Sequence, residues 1–163
     1  MLRHFALILF MAGFYTAPAS AQNAEQISIV KKGQSCSGCN LFQANLSYLE
    51  GEKMDLSKAR LRQSSLALAT YDNVSFASAN LSVSNLFGAR FNRSDFSGAN
   101  LENATAVGTY FGASKLAGAK LEGANFSGAD LSLVQGLTQS QLNQACGDET
   151  TRLPKGQTIP HCS

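Results

Sequence analysis

Large apolar residues recur at every fifth position from Leu41 to Leu131, and the frame never slips. The series starts Leu41, Leu46, Gly51, Leu56, Leu61, Leu66 and Tyr71, and ends Leu121, Phe126 and Leu131. Of its 19 positions, only Gly51 and Ala106 are neither Leu nor aromatic. The residue two before each is mostly small, as in Ala59, Ser64, Ala69 and Val74, and the residue between is mostly polar. Five residues advance an α-helix by about 500°, roughly 140° past a full turn, so no apolar stripe would form. On a flat strand an odd period sends successive large residues to opposite faces. A chain that bends at every step does give one core. If each step turns by about a quarter circle, four steps close a coil with every large residue inside, and the small residue two before it also points inward.

Coils stacked by strand-like pairing, about 4.8 Å apart, place residues 20 positions apart above one another. Leu41, Leu61, Leu81, Leu101 and Leu121 then form an all-Leu column. Tyr71, Phe91 and Phe111 form an aromatic column between Gly51 and Leu131, and Leu56, Phe76, Phe96 and Leu116 form another. Such self-similarity marks a repeat architecture.

The segments "ANLSY", "ARLRQ", "ANLSV", "SDFSG", "ANLEN", "ANFSG" and "ADLSL" resemble the A-[ND]-L-x-x pattern of pentapeptide repeat proteins, over about residues 39 to 134. The resemblance implies an all-β fold, a right-handed quadrilateral β-solenoid of about five coils. Gly51, in "LEGEK", departs from the pattern, and a weak or loop-like corner is expected there.

An open solenoid exposes core and unpaired edges at both ends, so caps are expected. The period breaks after Leu131. In "GLTQSQLNQACG", Thr138 and Gln141 form a capping box, Leu137 and Leu142 a hydrophobic staple, and Gly147 a helix stop. A short capping helix is expected over 139–146, with Leu142 and Ala145 covering the last coil, and a turn at Leu153-Pro154-Lys155-Gly156. Four cysteines lie near the ends: Cys36, Cys39, Cys146 and Cys162. They allow three connectivities. A Cys36–Cys39 pair suits a local disulfide, with metal or redox chemistry as alternatives. A Cys146–Cys162 bond would tie the tail to the helix. The C-terminal segment resembles the "GLTQxQLxxACGD…LPxG…PxC" ending of some exported bacterial pentapeptide proteins. One zinc site from all four thiolates does not fit: the ends lie roughly 24 Å apart, against zinc–sulfur bonds of about 2.3 Å. His161 reads as a surface residue of the tail.

The N-terminal segment changes the setting. Arg3, an apolar run from Phe5 to Ala17 and Ala19-Ser20-Ala21 read as a signal peptide cleaved after Ala21. The expected location is periplasmic or secreted in a bacterium, with no integral membrane span after cleavage. The expected domains are 1–21 signal peptide, 22–38 N-terminal segment and cap, 39–134 solenoid, and 135–163 C-terminal helix and disulfide-tied tail.

Chemistry is sparse. His4 leaves with the signal peptide, and no G-x-S-x-G elbow, P-loop or H-E-x-x-H is present. No catalytic, metal or cofactor site is expected. The net charge is +2, and within 41–131 eight acidic residues balance eight basic ones. That excludes a nucleic-acid partner and the acidic DNA-mimicking face that the resemblance associates with topoisomerase-binding relatives. The sharper feature is an apolar set at one corner: Tyr48, Leu68, Phe87 and Val107, with Tyr110 on the next edge. Contiguous exposed apolar area often marks a contact site, here for an unknown protein partner or for self-association. The expected function is a non-enzymatic protein-binding or scaffolding module of the cell envelope. The alternatives are a purely structural or stress-related envelope protein, or a C-x-x-C thiol-redox protein.

Overall fold

The computed structural model describes residues 22–163. The signal-peptide expectation for residues 1–21, with cleavage after Ala21, lies outside the described residues. From Cys36 to Gln135 the chain winds as a four-sided coil in which each layer pairs in parallel with the one 20 residues later, and the last rungs pair at offsets of 21 and 22, Asn125 with Cys146 and Asp130 with Arg152. Four interior columns result. The first holds Cys36, Leu56, Phe76, Phe96 and Leu116, the second Leu41 to Leu121, the third Leu46, Leu66, Leu86, Ala106 and Phe126, and the fourth Gly51, Tyr71, Phe91, Phe111 and Leu131. All are buried except Gly51, which is half-buried.

Each corner is a four-residue turn that starts at a central residue. In the second column Ala44 N–H donates to the Leu41 carbonyl at 3.0 Å. The third turn residue is left-handed at every regular corner, with φ from 51° to 69° between Gly38 and Gly128. The Asn or Asp just before a central residue clasps the corner. Its Oδ1 accepts from the N–H two residues on, as at Asn45–Ser47 (3.1 Å), Asn85–Phe87 (2.9 Å) and Asp95–Ser97 (2.8 Å). The Ser57 hydroxyl and N–H hold the Asp55 carboxyl below its usual range. At Asp95 burial pushes upward, but the Ser97 hydrogen bonds and nearby Lys115 outweigh it.

The fourth face carries the only strands longer than a single bridge among the described residues: β1 (Glu50–Glu52), β2 (Thr70–Asp72) and β3 (Arg90–Asn92), parallel in the order β1-β2-β3. Two buried serines widen its corners. Ser94 Oγ accepts from Val74 N–H and donates to the Tyr71 carbonyl, both at 3.2 Å. Ser114 Oγ likewise accepts from Ser94 N–H (3.0 Å) and donates to the Phe91 carbonyl (3.1 Å). A hydroxyl is thus inserted where the corners of the other three faces close directly, and β2 and β3 stay extended for three residues; the Gly51 corner of β1 stays open beside Val74 without one. One layer on, Ser114 N–H closes onto Phe111 O at 3.2 Å, and Arg90↔Tyr110 is a single bridge. Replacing Ser94 with Ala strands a buried donor and a buried acceptor. We expect a loss of about 1–3 kcal/mol in urea unfolding; an unchanged midpoint and slope would remove the hydroxyl from the account.

Gly51 is not loop-like, contrary to the sequence expectation. It lies within β1, in register with Tyr71. A Cβ there would stand 2.7 Å from Met54 Sδ and 2.8 Å from Tyr71 Cδ1, because the Tyr71 ring and Met54 fill the space a side chain would take.

Both ends are capped. Helix α1 (Ala24–Lys31), N-capped by the Asn23 side chain, seals the first coil with fully buried Val30, while Ile27 and Ile29 pack against the core. Gln26 Oε1 accepts from Asn40 N–H (2.6 Å), and Gln22 donates to Gln43 O (2.8 Å), so side chains serve the exposed ladder edge. At the other end α2 (Gln139–Leu142) has the expected capping box, and Leu142 is fully buried. It stops four residues before the expected end at 146. Cys146 must be extended to pair with Asn125: Phe126 N–H donates to Cys146 O at 2.8 Å, and Cys146 N–H to Ala124 O at 2.9 Å. The tail continues the ladder through Asp130↔Arg152 and Gly147↔His161. Its turn closes one residue later than expected, from Pro154 O to Gln157 N–H.

Candidate functional site: an apolar corner of the solenoid

The corner between the third and fourth columns is built by residues 47–48, 67–68, 87–88, 107–108 and 127–128. Successive layers are locked by Tyr48 N–H to Ala67 O (3.0 Å), Leu68 N–H to Phe87 O (2.8 Å) and Gly88 N–H to Val107 O (2.9 Å). The five-residue phase sends these side chains outward. Tyr48 is 74% exposed, Phe87 49% and Leu68 44%, and Val107 is half-buried. The Leu68 side chain lies over Gly88, where a Cβ would stand 2.7 Å from its Cδ2, which joins it to Phe87 in the next layer. The result is a continuous stripe. Val83 and Leu133, the other large exposed apolar residues among those described, sit singly on other corners. Helix α1 covers the end of the coil and leaves this stripe open.

The neighbouring fourth face adds charge in a definite order. Glu50, Glu52 and Asp72 rim a shallow depression with Gly51 and Thr70. Arg90 and Arg93 follow. The Arg90 guanidinium lies 5.1 Å over the Tyr110 ring, and Arg93 Nε donates to Asn73 Oδ1 at 3.1 Å. The hydroxyl end of the Tyr110 ring in turn lies over Gly112, whose missing side chain admits it.

The cysteines stand at the two ends. Cys36–Cys39 spans the first corner, with Cα atoms 5.5 Å apart and both residues buried. Cys146–Cys162 joins the last rungs across a separation of 16 residues, with Cα atoms 4.8 Å apart. Burial of Cys36 and Cys39 keeps attacking thiolates away from the bond, the opposite of what an exchange site needs. Among the described residues no group of His, Cys, Asp or Glu is placed to hold a metal ion. No helix among them is long and apolar enough to cross a membrane. Tyr71 is a feature the sequence did not reveal: its hydroxyl is buried without a hydrogen-bond partner, and burial pushes its pKa up.

Residues 94–132 match the family described as "Pentapeptide repeats", in eight copies. The chain is a pentapeptide repeat protein. Among solved structures, this pentapeptide repeat protein is similar to QnrB1, a plasmid-mediated fluoroquinolone resistance protein. The two share 15% identity over 78% of this chain and 90% of that one, with a TM-score of 0.50. A pentapeptide repeat protein from the Arabidopsis thaliana thylakoid lumen is 22% identical over 71% of this chain and 81% of its own (TM-score 0.35). Rfr23 from the cyanobacterium Cyanothece 51142 is 24% identical over 77% and 94% (TM-score 0.32). No curated protein sequence matches this pentapeptide repeat protein significantly. The likeness to QnrB1 carries the fold, a right-handed quadrilateral β-solenoid.

Proposed function

We propose that this pentapeptide repeat protein is an exported, non-enzymatic binding module of the cell envelope, which holds a protein against the Tyr48–Leu68–Phe87–Val107 corner. The observation that carries this reading is the stripe itself. Three of its residues are large, apolar and about half or more exposed in consecutive layers, while they contribute nothing to the core. Burying such a stripe yields roughly 25 cal/mol per Å² of apolar area, which leaving it in water forgoes. The export half of the reading rests on Ala19-Ser20-Ala21 and on two disulfides, which persist in oxidising compartments. The proposed division places a signal peptide at 1–21, a cap at 22–38, the solenoid at 39–134 and a disulfide-tied cap at 135–163.

The test uses the full chain expressed in a bacterium and cross-linked in intact cells. Protein adducts, of whatever mass, are expected in the envelope fraction. They should fall at least about tenfold in the Leu68→Ser/Phe87→Ser double variant, as for loss of a central apolar anchor pair. Adducts unaffected by the double variant, or a chain confined to the cytoplasm, would refute the reading.

A further inference from the structure

We infer that the partner at this corner is a second copy of the chain, docked antiparallel so that the fourth faces and the stripes of the two copies meet. This rests on the corner being a protein-binding surface, and it names the occupant. The argument is charge order. Along the solenoid axis the fourth face reads Glu50, Glu52 and Lys53 in the first layer, with Lys53 paired to Glu52 at 2.9 Å, then Asp72 in the second and Arg90 and Arg93 in the third. The face is therefore acidic on balance at one end, where Lys53 offsets only Glu52, and basic in its middle, and it complements itself only when one copy is reversed. A parallel pair would set Glu50, Glu52 and Asp72 against their own counterparts, and like charges in apposition cost affinity.

A two-fold axis crossing the face between the layers of Thr70 and Arg90 satisfies the other features of the surface as well. It sets Leu68 of one copy against Phe87 of the other, and Tyr48 against Val107, so the whole stripe is used twice. It sets Asp72 opposite Arg93, and Glu52 opposite the Tyr110 hydroxyl, which lies over Gly112. Such a contact is isologous, with each residue pair occurring twice, as closed dimers require. Four layers span only about 14 Å, and the contact is smaller than the roughly 800 Å² per partner of stable complexes. The dimer is accordingly concentration-dependent.

Sedimentation velocity and light scattering of the mature, oxidised protein across a wide concentration series provide the test. The mass should rise toward twice the monomer. Asp72→Arg alone and Arg93→Asp alone should each weaken dimerisation by about tenfold or more, since each homodimer then holds two like-charge contacts. An equimolar mixture of the two variants should recover wild-type association, because both contacts regain opposite charges. Thermal unfolding of each variant confirms that it is folded. A chain that stays monomeric at the highest concentrations overturns the inference, and so does a variant mixture no better than its components. A monomer whose stripe variant loses cross-links to a different envelope protein also overturns it, while leaving the binding corner intact.

Discussion

Phe91→Ala lowers the unfolding free energy by about 3–5 kcal/mol. Phe91 is fully buried at the middle of two facing aromatic columns. It stacks on Tyr71 (centroids 5.8 Å) and Phe111 (5.4 Å), and meets Phe76 (5.7 Å) and Phe96 (4.9 Å) edge-on. Removal of the ring leaves a cavity that the fold cannot close. The layers above and below are held at the ladder spacing by hydrogen bonds such as Phe91 N–H to Tyr110 O (2.7 Å). A helix could slide inward; a hydrogen-bonded coil cannot. The same change at Phe126 costs less, because among the described residues the one aromatic ring it meets is Phe111, at 6.1 Å, and it lies next to the C-terminal cap. Urea unfolding of the two variants checks both the size and the order. A loss under about 1 kcal/mol at Phe91, or a larger loss at Phe126, contradicts this picture of a rigid ladder.

Cys162→Ser has the second large effect, about 3 kcal/mol for a closed loop of this length. The bond does more than shorten a loop. Cys162 N–H donates to Gly147 O, and Gly147 N–H to Pro160 O, so the tail is the last rung of the ladder. Gln157 donates to Leu137 O (2.9 Å), and Gln139 pairs with both backbone groups of Thr158. Without the bond these contacts must hold the tail alone. Limited proteolysis should cut within 148–163 well before the solenoid, and the melting temperature should fall by several degrees. Equal protease resistance and an equal melting temperature would mean that the hydrogen bonds suffice. Cys36→Ser is expected to cost less, since that bond closes only the first corner, which Cys39 N–H to Cys36 O (3.3 Å) already marks.

The interior was legible because it depends on phase alone. A count in fives places every buried central residue from Leu41 to Leu131, and the same count puts Tyr48, Leu68 and Phe87 outside. What escaped the count depends on partners in other layers. Gly51 broke the apolar series and suggested a weak corner, yet its missing side chain is replaced by Tyr71, 20 residues on, and by Met54. Ser94 and Ser114 sit in the small inward phase beside many alanines, and nothing local distinguishes a hydroxyl that opens a corner from a filler methyl. Helix α1 carried signals of its own, an Asn23 cap and Ile27 and Val30 three apart, but its apolar face is narrow and falls before the repeat. Helix α2 is shorter than its sequence suggests because its capping box speaks only for its start. Its end is set by the need of Cys146 for the Asn125 rung. Four cysteines permitted three pairings, and only the wound chain brings Cys146 and Cys162 onto adjoining rungs.

The rule that each layer pairs with the residue 20 places on has a consequence for length. Removal of one residue from the solenoid would turn every later side chain out of the core, whereas removal of a whole turn would join like to like. Excision of 61–80, for instance, would bring Leu81 beneath Leu41. Such a molecule can grow or shrink only in whole steps of about 4.8 Å. It is in effect a graduated rod, and any surface feature written along one corner is spaced by the same graduation.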